Sequence, residues 1–160
     1  MKKTLSLLLL CLILLVSCTK KEAEANYKTD VEISSLAQTL FDEVGNSELT
    51  VADSQWVALN IPIELSLCEQ SAVYISTTGS ADLFCVFKAS SEDNAEKLYK
   101  QSEEYLTNLE ANWMTEYLAE ELPKIQNANA VKCGLYVTFV IADQDAQTAA
   151  VTAFENTLKA

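Results

Sequence analysis

The chain has 160 residues and a formal charge of −12, from 23 acidic residues against 11 lysines, with neither histidine nor arginine. Without histidine there is no Ser-His-Asp or Cys-His nucleophile and no imidazole ligand for zinc, and without arginine no bidentate fork for phosphate. The acidic balance repels phosphate backbones, which argues against nucleic acid as a partner.

The N-terminus reads Met1-Lys2-Lys3 and then runs apolar from Leu5 to Val16, too short for the ~20 residues that a membrane span needs. Leu15-Val16-Ser17-Cys18 has the form of a bacterial lipobox. The expectation is a signal peptide over residues 1–17, a lipidated Cys18, a polar tether over residues 18–30 and a single domain over residues 31–160. Cleavage leaves nine lysines against 23 acidic residues, a charge of −14, so lipid rather than a basic patch reaches the membrane. Cys11 leaves with the signal peptide, and Cys68, Cys85 and Cys133 remain for the fold. They read as core thiols, as one disulfide plus a free thiol, or as a reactive thiol; no C-x-x-C suggests a redox pair.

From residue 31 the pattern is helical: Ile33, Leu36, Ala37, Leu40, Phe41 and Val44 recur at steps of three and four, and Gly45-Asn46 supplies a stop. Residues 50–70 hold Trp56, Leu59 and Ile61 around Pro62 and read as a short helix followed by an irregular turn. Residues 71–78 and 82–89, rich in β-branched and aromatic types and joined through Gly79, read as an antiparallel hairpin. Ser90 or Ser91 caps a long helix whose apolar stripe runs from Ala95 through Tyr105, Leu109, Trp113 and Met114 to Tyr117. Pro123 interrupts it. Residues 130–132 and 135–142 flank Cys133-Gly134 as a second pair of strands, and Asp143 is expected to cap a final helix. The fold class is therefore α+β, a mainly antiparallel four-stranded sheet packed with helices in the order α-(α)-ββ-α-ββ-α.

No residues are read as catalytic, no cofactor is implied and no metal-ligand set is found. Asp143-Gln144-Asp145 opens like a calcium loop, but glycine and the closing glutamate are missing at their positions. The densest candidate binding patch is Glu116, Glu120 and Glu121 beside Trp113 and Tyr117, a combination of carboxylates and rings suited to a sugar or a cation. A solvated helix face accounts for the same residues. Trp56 is a second candidate, at a pocket mouth or partner surface, with burial in the core as the simpler account. Lys88 and Lys132 interrupt apolar strands and read as edge protection.

Several segments resemble a family of small bacterial lipoproteins, best known from Gram-positive anaerobes and catalogued as a domain of unknown function. The residues that carry the resemblance are Val86-Phe87-Lys88-Ala89, Tyr117 with Glu120, Glu121, Lys124, Ile125, Asn127 and Ala128, and Gly134-Leu135-Tyr136-Val137 leading to Ile141-Ala142-Asp143. It covers about Ser71 to Ala160. The family tends to carry a proline two residues after the tyrosine and an arginine in the long helix, where this chain has Ala119 and no arginine. The resemblance implies a compact extracytoplasmic lipoprotein domain, on a Gram-positive membrane, and no catalytic residue. The reading is a lipid-anchored, non-enzymatic domain that binds an envelope protein or small ligand. The alternative is a carboxylate-based enzyme or cation-binding protein acting on cell-wall carbohydrate.

Overall fold

A computed structural model describes residues 26–160; the expected signal peptide, Cys18 and the start of the tether lie outside the described residues. Helix α1 (Ile33–Val44) forms where the apolar residues recur, and it buries Ile33, Leu36, Ala37, Leu40 and Val44. Gly45 ends it with φ 67°, a left-handed turn, and its N–H donates to Phe41 O at 3.1 Å.

The sheet has five strands, not four. They are β1 (Leu49–Val51), β2 (Cys68–Ser76), β3 (Leu83–Ala89), β4 (Ala130–Cys133) and β5 (Tyr136–Ile141), in the spatial order β1-β2-β3-β5-β4, with every neighbouring pair antiparallel. The strand missing from the sequence reading is β1. Three residues are too few for alternation to register. Its strand character comes from long-range pairing, Leu49 with Ser76 and Val51 with Tyr74, extended by Ala52 N–H donating to Val73 O at 2.9 Å. Strand β2 also starts earlier than residue 71, with a register shift between Cys68 and Gln70. The expected short helix after β1 is α2 (Ser54–Asn60), capped by Asp53, whose carboxylate accepts from Trp56 N–H at 2.8 Å.

Strands β3 and β5 lie in the middle of the sheet, and helices cover both of their faces. Helices α1 and α5 (Gln144–Leu158) bury Phe84, Val86, Tyr136 and Val140 on one side. The other side holds Cys85, Phe87, Val137, Phe139 and Ile141, under α2, α3 (Glu92–Ala111) and α4 (Leu122–Asn127). Each fully buried aromatic or aliphatic side chain contributes roughly 1.5–3 kcal/mol, so the two-faced core accounts for continuous apolar runs instead of alternation. Thr138 is buried within this region, and its hydroxyl donates to Cys85 O at 2.6 Å.

Cys68, Cys85 and Cys133 are free thiols. Cys85 and Cys133 are buried on opposite faces of the sheet, and burial pushes the Cys85 thiol well up and the half-buried Cys68 thiol to about 11. Core thiols are thus the reading the fold supports. Lys132 stands on an edge strand and reaches Glu96 of α3, but Lys88 sits on inner β3, where no edge needs protecting; its ammonium lies 3.3 Å from Glu69.

The described chain enters at one end of the sheet. Tyr27 bridges Lys159, Lys28 N–H donates to Leu158 O at 2.9 Å, and Tyr27 packs over Gly134 in the β4–β5 turn. The β2–β3 turn and the α3–α4 connection lie at the opposite end, roughly 30 Å away along a helix of 20 residues. Among the described residues no helix is long and apolar enough to cross a membrane.

Candidate functional site

The long helix stops at Ala111, before the expected binding residues. Asn112 leaves helical geometry at φ −110°, ψ 9°, so Trp113, Glu116, Tyr117 and Glu120 do not share a helix face. They belong to a closed loop at the end of the sheet away from the chain entry. Thr115 N–H donates to Trp113 O at 2.9 Å, Tyr117 and Leu118 N–H both donate to Met114 O, and the Trp113 indole N–H donates to Leu118 O at 2.8 Å. The indole packs against the core beneath α3 and anchors the loop from below. Met114 and Tyr117 project outward, 61% and 77% exposed, with Glu116 and Glu120 also in solvent.

Glu121 has a different environment. A single 3-10 turn (Ala119–Glu121) points its carboxylate at the β2–β3 turn, where it accepts from Ala81 N–H at 2.8 Å and the Ser80 hydroxyl at 3.1 Å. Lys124, one turn on at the start of α4, lies 3.2 Å from Glu121 and 2.9 Å from Asp82. Asp82 also accepts from the Asn46 amide at 2.6 Å. Asp143 is placed as the N-cap of α5, but its side chain makes no capping bond and lies 3.7 Å from Lys124. One ammonium therefore ties the β2–β3 turn, the 119–121 turn and the start of α5 together, with the end of α1 joined through Asn46.

The electrostatics of this junction follow from its half-burial. Burial pushes the Glu121 carboxyl up, but hydrogen bonds from Ala81, Lys124 and Ser80 outweigh it and hold the group below the ordinary carboxylate value. Burial likewise opposes charge on Lys124, and the bonds to Asp82 and Glu121 outweigh it and raise the ammonium. Lys124 already bridges the carboxylates that converge here, and the described residues hold no group of three or more potential ligands fit for a metal ion. Nothing in the local pattern marks Asp82 as the partner of Lys124, 42 positions away, or Asn46 as the partner of Asp82, 36 positions away. Only the i,i+3 spacing of Glu121 and Lys124 was a readable signal.

Trp56 is on α2, half-buried against the same core as Trp113, and belongs to neither the loop nor the junction. Carboxylates share a cleft in two places, Glu43 with Asp145 beside α5, and Glu103 with Glu110 of α3, seven residues apart, in a groove of about 200 Å³ beside α4. All four are exposed; Glu103 accepts from Tyr99 OH and Glu110 from Gln126. None has the desolvated setting that makes a general acid.

The family model described as "Domain of unknown function (DUF4358)" matches residues 43–142. The chain belongs to that family. No curated protein and no solved structure matches it. The DUF4358 span begins earlier than the stretch from residue 71 that carries the resemblance, and it stops before α5. It includes all five strands, the exposed loop and the Glu121–Lys124–Asp82 junction, while most of α1 and all of α5 lie outside it.

Proposed function

We propose that this DUF4358 chain is a lipid-anchored protein of the bacterial envelope whose domain binds another envelope protein without performing chemistry of its own. One geometric observation carries the reading: the described chain enters beside the β4–β5 turn, and the hydrogen-bonded Trp113–Tyr117 loop lies at the other end of the sheet. With Cys18 acylated, residues 18–26, ahead of the docked Tyr27, reach up to roughly 30 Å from the bilayer, and the loop faces away from it. The lipobox and the resemblance to Gram-positive lipoproteins support a place on the outer side of the cell membrane. Met114 and Tyr117 supply the exposed apolar contact, and Glu116 and Glu120 give its rim an acidic character.

Two experiments test this. A clickable fatty-acid label added to growing cells enters the wild-type protein and not Cys18→Ser; equal labelling of both refutes the anchor. A photo-crosslinking amino acid at position 117 gives a discrete adduct in intact cells, and the same probe at exposed Glu104 does not. Identical patterns from both positions overturn the loop as the binding surface.

A further inference from the structure

Among the described residues no strand pairs with the outer edge of β4, and two clefts flank it. Ala89 N–H donates to Leu135 O at 2.8 Å, which directs the backbone of Leu135 and, by alternation, of Val137 toward β3. The backbones of Tyr136 and Thr138 therefore turn toward β4, where they face Cys133 and Val131. The N–H and C=O of Ala130 and Lys132 are left pointing outward, and none of them bonds to another segment among the described residues.

On one side of the edge, the groove between β4, α3 and α4 presents Glu103, Thr107, Glu110 and Gln126. On the other side, a cleft of about 380 Å³ between β4 and α5 presents Asn127, Gln144, Thr148 and Thr152 around Val131 and Val151. Asn129 lines both. One cleft is acidic, and the other is uncharged and rich in amides and hydroxyls.

We infer that β4 is a docking edge for an extended peptide of a partner protein, which adds to the sheet as a sixth strand. An added strand pairs with the Ala130 and Lys132 backbone and directs alternate side chains to the two faces. Charge complementarity sets the chemistry of the occupant. Lysine or arginine side chains enter the Glu103–Glu110 groove, and small uncharged side chains such as threonine or valine enter the α5 cleft. This surface is separate from the Trp113–Tyr117 loop and does not depend on the lipid anchor.

The test uses the purified full chain in detergent micelles and an eight-residue peptide alternating lysine and threonine. The expected result is saturable binding, with the amides of Ala130 and Lys132 protected from hydrogen exchange. Alternate N-methylation of the peptide on its edge-facing side weakens binding roughly tenfold or more, since each lost backbone bond is worth about 1 kcal/mol. Glutamate in place of lysine weakens it similarly, and so does Glu103→Lys together with Glu110→Lys. Lys132→Pro removes an outward N–H without touching the β4–β5 ladder and weakens binding, whereas Lys132→Gln, which loses the same charge and the ion pair with Glu96 but keeps the N–H, does not. Several results overturn the inference: no binding, binding indifferent to N-methylation, protection mapped to residues 113–118, or a dimer of the chain that Lys132→Pro dissolves.

Discussion

Lys124 Nζ lies 2.9 Å from Asp82 Oδ1, with only 15% and 11% of the two side chains exposed, so α4 is bonded to the head of β3 by a charge pair largely out of water. Removing one partner leaves the other charge buried and uncompensated, which costs far more than a surface ion pair is worth. Lys124→Met is expected to destabilise the domain by about 3 kcal/mol, read as a lower urea midpoint at unchanged slope. Adding Asp82→Asn to Lys124→Met recovers part of the loss, because the stranded carboxylate is then gone.

The same junction sets an acid limit. Glu121 titrates below its ordinary 4.5 in the folded state, so its stabilisation is fully present above that value and is lost as pH falls through the lower folded value. Lys124 titrates above its ordinary 10.5, so its contribution persists below that value and is lost only as pH rises through the higher folded value. Thermal unfolding followed from pH 7 to pH 3 should show Tm falling below pH 4.5 in the wild type. The fall is shallower in Glu121→Gln, which is less stable at neutral pH. Parallel curves for the two proteins would mean that Glu121 is not a source of the acid limb.

The division between what was legible and what was not follows the range of the interactions. Helix α1 announces itself by five buried apolar residues in twelve and a glycine stop, and α3 by Ser91, whose hydroxyl accepts from Asn94 N–H. Both signals are complete within a few residues. At the end of α3 the spacing of Trp113 and Tyr117 continues the helical pattern, whereas the indole is held by Leu118 O, a contact that exists only once the loop has closed. Strand β1 and the Lys124 junction depend on partners 23 to 42 residues away, and no local pattern encodes such pairs. The grooves beside β4 are likewise products of tertiary packing.

Gly134 separates backbone conformation from contact. Its φ is 58°, and a Cβ built there lies 3.1 Å from the Cβ of Tyr27; Gly45 has φ 67° and open space. Alanine at either position meets the left-handed penalty of roughly 1–2 kcal/mol. Gly134→Ala also pushes Tyr27 away from the turn, so it should cost more than Gly45→Ala by urea unfolding. Measured in a Tyr27→Gly background, which removes the Tyr27 Cβ that alanine would keep, Gly134→Ala should cost about the same as Gly45→Ala. A persistent gap would place the extra cost elsewhere than in the N-terminal contact.

The DUF4358 match ends at residue 142, but the folding unit does not. Phe84, Val86, Tyr136 and Val140 face a layer made by α1 and α5, where Ala150, Phe154 and Leu158 are fully buried. A chain ending at Ala142 exposes that face of β3 and β5 and strips four large or branched side chains of their cover, each worth roughly 1.5–3 kcal/mol. The sum is comparable with the whole stability of an ordinary domain. Such a truncation should give no cooperative unfolding transition in circular dichroism and should bind a hydrophobic dye. Extending the chain to residue 158 restores the transition, with Phe154 and Leu158 again closing the core.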